Sequence, residues 1–245
     1  MGRAASLLAG RRAAAFVGIG ACVLAWFIAA PHLPHPGVWP DIVIVSVAVL
    51  PGTLLLVLIA LPLSGAGWRP LAAATGVLAL LAFACSAADW GLPANFAKLW
   101  AAVAGGWLFL TLFEELSWVV IVAVVVPFVD AVSVWRGPTH TITEHHFGVY
   151  TAVAVAFLVP GGGAAYLGPP DILFYALFLS AARRWGLRVG WTWIGTTGMY
   201  GLTIIIANAA DVGGLPALPF LSCGFLAANA DLLWRRLRRP AESSA

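Results

Sequence analysis

Apolar residues run almost without interruption through this 245-residue chain, in stretches of roughly 20 divided by short polar or Gly/Pro-rich breaks. A helix needs about 20 apolar residues to cross the hydrocarbon of a bilayer. The stretches predict such helices near 13–30, 41–63, 70–88, 95–113, 116–135, 168–184, 190–209 and 216–234. Each break has a physical reason. Pro31, Pro34, Pro36 and Gly37 make a rigid polar turn, and Ser64-Gly65-Ala66-Gly67 a flexible one. Glu114 and Glu115 are adjacent charges too costly for lipid. Arg183-Arg184-Trp185-Gly186-Leu187-Arg188 and Asp211-Val212-Gly213-Gly214 divide the last three stretches. The expected architecture is an all-α, polytopic transmembrane bundle of about eight spans. It forms a single domain, 1–245, with N-terminal helices over 1–115, a second set over 116–234 and a tail at 235–245.

The segment 136–167 interrupts this rhythm. Its apolar part, 148–160, reaches only about half a span before Gly161-Gly162-Gly163. It reads as a loop that packs on the membrane face or pairs as a short strand, although a ninth span is the competing reading. At the other end, 13–30 follows Arg3, Arg11 and Arg12 in the manner of a signal peptide. The run is long for a cleaved leader and ends on Pro31, so a retained first span is expected.

Composition strengthens the membrane reading and narrows the chemistry. Charged residues make up 9% of the chain and hydrophobic ones 62%, against about 25% charged in soluble domains. The net charge of +3 does not point to nucleic acid, because the basic residues cluster at span ends. With eight spans, eleven of the thirteen basic residues fall on the side of both termini, leaving Lys98 and Arg136 opposite. That bias places the termini in the cytoplasm and the 136–167 loop outside. Tryptophans near span ends, such as Trp39, Trp68 and Trp191, fit interfacial anchoring. Cys22, Cys85 and Cys223 are too widely spaced for a disulfide framework or a zinc site.

Eight of the ten acidic residues lie in loops or at span ends: Asp41, Asp89, Glu114, Glu115, Glu144, Asp211, Asp231 and Glu242. Asp130 and Asp171 stand apart. Each sits in a predicted span, near the end that meets the 136–167 loop, on consecutive antiparallel helices. A carboxylate there costs about 2.5–3.5 kcal/mol on insertion scales and needs a partner, a proton or water. Helices joined by that loop can hold both carboxyls at one depth. Two carboxylates in one low-dielectric site share a proton, which suits them to paired acid and base work. The plainer reading is that Asp171, after Gly168-Pro169-Pro170, simply opens its helix. A proton or cation relay in a transporter is a third.

Val129-Asp130, Gly168-Pro169-Pro170-Asp171 and Pro216-Ala217-Leu218 fall in that order on three of the last four predicted helices. Together they resemble the Tyr-Asp, Gly-x-Gly-Asp and Pro-Ala-Leu motifs of the presenilin and signal peptide peptidase family of intramembrane aspartyl proteases. The resemblance covers about 116–234. It implies that Asp130 and Asp171 are a catalytic pair and that Gly168, Pro216, Ala217 and Leu218 help hold an unwound substrate. It also implies no metal or cofactor, with transmembrane peptides as partners in the cell membrane. The expected orientation is that of signal peptide peptidase, whose substrates are type II spans and remnant signal peptides. Three features depart from the family. Val129 replaces the tyrosine, Pro170 replaces the second glycine and removes an N–H, and eight spans stand where the family has nine. A catalytically inactive member, or a proton-coupled transporter, is the alternative.

Other signals are weaker. His140, Glu144, His145 and His146 read as a solvated loop rather than a metal site. Glu114-Glu115 resembles the diglutamate of CAAX-type membrane proteases but lacks the following arginine. Prepilin peptidases share Gly-x-Gly-Asp, yet carry a lysine soon after it, where this chain has Ile172-Leu173-Phe174.

Overall fold

In lipid every backbone polar group must be satisfied within its own segment, and helices answer that demand here. The computed structural model describes residues 2–136, 147–212 and 215–237. His140, Glu144, His145, His146, Gly213, Gly214 and the tail beyond residue 237 lie outside the described residues. The order is α1 (Gly2–Ala29), α2 (Val38–Ile44), a π turn (Val45–Val49), α3 (Leu50–Ala60), α4 (Trp68–Ala87), α5 (Gly91–Leu110) and α6 (Leu116–Arg136). From residue 147 on come α7 (Phe147–Val153), β1 (Val155–Leu158), β2 (Ala164–Leu167), α8 (Pro169–Arg184), α9 (Val189–Ala209) and α10 (Ala217–Leu237).

The fold is all-α apart from one hairpin. Among the described residues, five helical stretches are long and apolar enough to cross a membrane: Gly10–His32, Val38–Gly65, Trp68–Ala87, Leu116–Val134 and Ala217–Arg236. Large apolar side chains such as Leu80, Phe83 and Phe128 are 70–75% exposed, which suits a surface solvated by lipid. The remaining three expected spans are also helical, as α5, α8 and α9. Boundaries move at two helices: the one expected over 13–30 begins at Gly2, and the one expected over 95–113 begins at Gly91 and ends at Leu110, with a turn at 111–115 carrying Glu114 and Glu115.

The core surrounds α8. Ile172 and Tyr175 through Leu179 are fully buried, as are Ala181 and Ala182, because α5, α6, α9 and α10 all pack on this helix. That enclosure explains how a 16-residue helix bearing Asp171, Tyr175 and Ser180 sits in a membrane bundle. Its solvent is protein rather than lipid. Close backbone approaches fix the packing. A Cβ added at Gly106 would lie 2.3 Å from the Leu173 carbonyl, and Gly195 and Gly224 bring α9 against α10 at a similar range.

Of the segment expected as a loop, residues 137–146 lie outside the described residues, and the apolar part forms α7 followed by the first of two paired strands. β1 and β2 pair antiparallel, Val155 opposite Leu167 and Leu158 opposite Ala164, and Gly161 at φ +79° makes the turn. Two antiparallel strands are marginal alone, and side chains hold this pair on the bundle. Asn95 grips Ala156 twice, with Nδ2 donating to its carbonyl at 2.9 Å and Oδ1 accepting its N–H at 2.7 Å. Trp26 Nε1 donates to Leu158 O at 2.9 Å. Lys98 Nζ donates to Thr151 O and Ala154 O, both at 3.4 Å. At the opposite end of the bundle, Arg184 donates to Leu110 O at 3.0 Å and Arg188 makes a two-pronged pair with Asp231 at 2.8 Å.

Candidate functional site

Asp171 is set by the start of α8. Pro169 and Pro170 fill the first two helical positions, where an N–H would lack a helical partner anyway. The Pro170 departure from the family motif is thereby absorbed by local structure. Gly168 N–H donates to Asp171 Oδ2 at 3.0 Å, while Asp171 N–H donates back to Gly168 O at 3.1 Å. The helix-opening role weighed from sequence therefore exists, and it occupies one carboxylate oxygen. Among the described residues no hydrogen bond engages Oδ1.

Asp130 lies in α6, three residues after Pro127, which removes a helical hydrogen bond just upstream. One face of α6 is outward, with Phe128, Val129 and Val132 at 61–70% exposure. Val129, in the place of the family tyrosine, thus points away from the other motifs. Asp130 is half-buried, and its Oδ2 accepts the N–H of Leu218 at 3.0 Å. Pro216, Ala217 and Leu218 are buried beside it at the start of α10. Two of the three motifs, 88 residues apart, are therefore bonded directly. The third opens α8, on which both α6 and α10 pack.

Tyrosines surround this meeting point. The chain has four, at 150, 166, 175 and 200. Tyr200 OH donates to the Asp171 carbonyl. Its ring stacks on Tyr175 at 6.0 Å between centroids, and Tyr175 OH shares a 3.2 Å hydrogen bond with Thr197 Oγ1. Tyr150, from α7, meets Tyr166 of β2 edge-on at 6.4 Å. Burial pushes the Tyr150 phenol up to about 12, and the negative charges of Asp171 and then Asp130 push in the same direction. One phenol thus feels both carboxylates. None of these tyrosines had a role in the sequence reading, Tyr175 standing only in the stretch that follows Asp171. Their scarcity was the available signal, since a phenol within an apolar chain needs a polar partner.

The competing motifs fall elsewhere. Glu115 Oε2 accepts from Ser117 at 2.9 Å in the exposed turn before α6. Among the described residues no three His, Cys, Asp or Glu side chains gather as a metal site. Asp41, at a span end as expected, is 7% exposed there, with Oδ2 2.8 Å from His35 Nδ1.

No family model, no curated protein and no solved structure matches this chain. The resemblance to the presenilin and signal peptide peptidase family therefore rests on the residues themselves.

Proposed function

We propose that this protein is an intramembrane aspartyl protease in which Asp130 and Asp171 activate water against a peptide bond of an unwound transmembrane segment. The observation that carries the reading is the bond from Leu218 N–H to Asp130 in α6, a helix that also packs on the α8 that Asp171 opens. Two sequence-distant motifs are bonded there, and among the described residues no hydrogen bond engages Asp171 Oδ1. In the reaction one carboxylate takes a proton from water as the water oxygen bonds to the peptide carbonyl carbon. The other, protonated, donates to the carbonyl oxygen. Collapse of the tetrahedral species breaks the C–N bond, and the leaving nitrogen takes a proton.

The eight-span arrangement belongs to the same proposal, with both termini cytoplasmic and the hairpin at the outer face. Type II spans and remnant signal peptides are then the substrate class. Pro216 precedes α10 and Pro219 stands in its first turn, where an N–H would lack a helical partner anyway, so the two prolines fix where the helix begins beside Asp130.

Purified protein reconstituted with a reporter transmembrane peptide tests this. Cleavage should disappear in both Asp130→Asn and Asp171→Asn, and a transition-state mimic with a tetrahedral hydroxyl should block the native protein. Cleavage that survives either substitution ends the proposal.

A further inference from the structure

An apolar groove with one charged end runs along the first half of the bundle. α1 packs on α3 and α4 packs on α5, and the groove lies between these two pairs. Each of the four helices turns an alanine to it: Ala13, Ala60, Ala74 and Ala104. Those short side chains leave about 960 Å³ between the walls, the upper end of the roughly 300–1,000 Å³ of pockets that enclose a small ligand. Phe16 and Trp100 stand at its deeper end, their rings 5.8 Å apart. From Pro70 to Leu78 the α4 wall descends by about 12 Å, at 1.5 Å per residue. Such a groove in a bilayer takes hydrocarbon.

The other end is different. Arg12 is the one charged side chain among the described residues that line the groove. It is exposed, and nothing pairs with it among the described residues. Arginines of the later helices are engaged by the fold instead: Arg184 with Leu110 O, Arg188 with Asp231 and Arg236 with Trp185 O. α1 crosses and α2 with α3 return, so the start of α4 lies on the Arg12 side. There Trp68, 61% exposed, carries the Arg69 guanidinium 5.4 Å above its ring. An exposed tryptophan beside arginine at a span end marks headgroup depth. The charged end of the groove therefore lies where lipid phosphates lie.

These two ends together choose the occupant. A second apolar helix would fill the walls and leave Arg12 unanswered. A phospholipid answers both, with an acyl chain against the alanines and a phosphate for the guanidinium, whose planar fork suits two phosphate oxygens. A choline or ethanolamine head would bring another cation beside Arg11, Arg12 and Arg69, so an anionic head fits best. We propose that this groove binds an anionic phospholipid, one acyl chain lying between α1 and α4 and its phosphate held by Arg12. Nothing in this site depends on Asp130 or Asp171.

The test is lipid binding to the purified full chain in detergent, with bound lipid counted by native mass spectrometry. Phosphatidylglycerol and phosphatidylcholine of identical chains are titrated separately. Phosphatidylglycerol should bind about 10- to 100-fold more tightly, the range of a charge-assisted hydrogen bond. Arg12→Gln should remove that preference and leave phosphatidylcholine binding unchanged. Arg235→Gln, at an exposed arginine that does not line the groove, should keep it. Ala74→Phe fills the groove and should weaken both lipids; if that variant does not fold, Ala13→Phe at an exposed wall position takes its place. Glycerol phosphate, which has the anion without the chain, should not compete. Equal binding of the two lipids, or a preference that Arg235→Gln removes as fully as Arg12→Gln, overturns the proposal, since the attraction is then to surface charge at large. Indifference to both groove-filling variants, or competition by glycerol phosphate, overturns the acyl-chain site. Displacement of the lipid by an apolar transmembrane peptide overturns the lipid as occupant and gives the groove to a protein segment.

Discussion

Asp130 Oδ2 accepts the backbone N–H of Leu218 at 3.0 Å, tying α6 to the first turn of α10. The carboxyl thereby answers one of the N–H groups that a helix start leaves without an internal partner. The structural role and the proposed chemical role of this side chain separate by substitution.

Asparagine at 130 keeps an oxygen for Leu218 but cannot act as acid or base. Asp130→Asn should lower turnover by about 10²–10⁴ with a melting temperature near that of the native protein. Asp130→Ala should be equally inactive and also less stable, by about 1.5–3 kcal/mol for a lost charge-assisted hydrogen bond. Paired turnover and thermal-unfolding measurements check both halves. Equal melting temperatures for the two variants would contradict the structural half.

Tyr150 reports on the carboxylates through pH. Its phenol titrates at about 12 in the folded protein, against 10.0 ordinarily. The unfolded chain thus releases this proton first as pH rises. Its contribution is whole below about pH 10, falls between about 10 and 12, and loses nothing further above that window. Ultraviolet titration of phenolate should show the late step vanish in Tyr150→Phe. In Asp171→Asn the step should move down without reaching the ordinary value, because burial, the larger cause, remains.

Asn95 holds β1 through both faces of its amide and is 9% exposed. Asn95→Leu leaves the Ala156 N–H and carbonyl without those partners and should cost about 1–3 kcal/mol. Hydrogen exchange at Ala156 should quicken while exchange along α8 does not. Unchanged protection at Ala156 would mean the amide clamp does not hold the strand.

Neighbouring glycines on α5 should behave differently. A Cβ at Gly105 meets Leu173 and Thr75 side chains at an ordinary 3.8 Å, whereas one at Gly106 meets the Leu173 carbonyl at 2.3 Å. Gly106→Ala should destabilise by about 1–3 kcal/mol, as overpacking does, and push α5 from α8. Gly105→Ala should be neutral or slightly stabilising, since alanine favours helix. Thermal melts of the two proteins give the comparison, and a tolerated Gly106→Ala would count against the close crossing.

Much of the architecture could be read along the chain because lipid imposes simple demands on it. The prolines at 31, 34 and 36, the glycines at 65 and 67 and the Glu114-Glu115 pair are local stop signals, and each falls at a helix break. The enclosure of α8 could not be read that way. Its apolar run looks like the others, and only neighbours decide whether a helix faces lipid or protein. The burial of Asp41 was hidden for a related reason: it comes from a hairpin more than a hundred residues later, whose turn covers His35.

The candidate site divides along the same line. Sequence alone singled out Asp130 and Asp171, because a charge within an apolar run is expensive wherever the run packs. It also set aside the Pro216-Ala217-Leu218 segment by order and spacing. The bond between Asp130 and Leu218, the outward turn of Val129 and the gathering of Tyr150, Tyr175 and Tyr200 came only with the tertiary structure. Hydropathy is a property of one segment in its solvent and is written along the chain. Which polar group meets which is settled by helix rotation and crossing, and those depend on contacts between residues far apart in sequence.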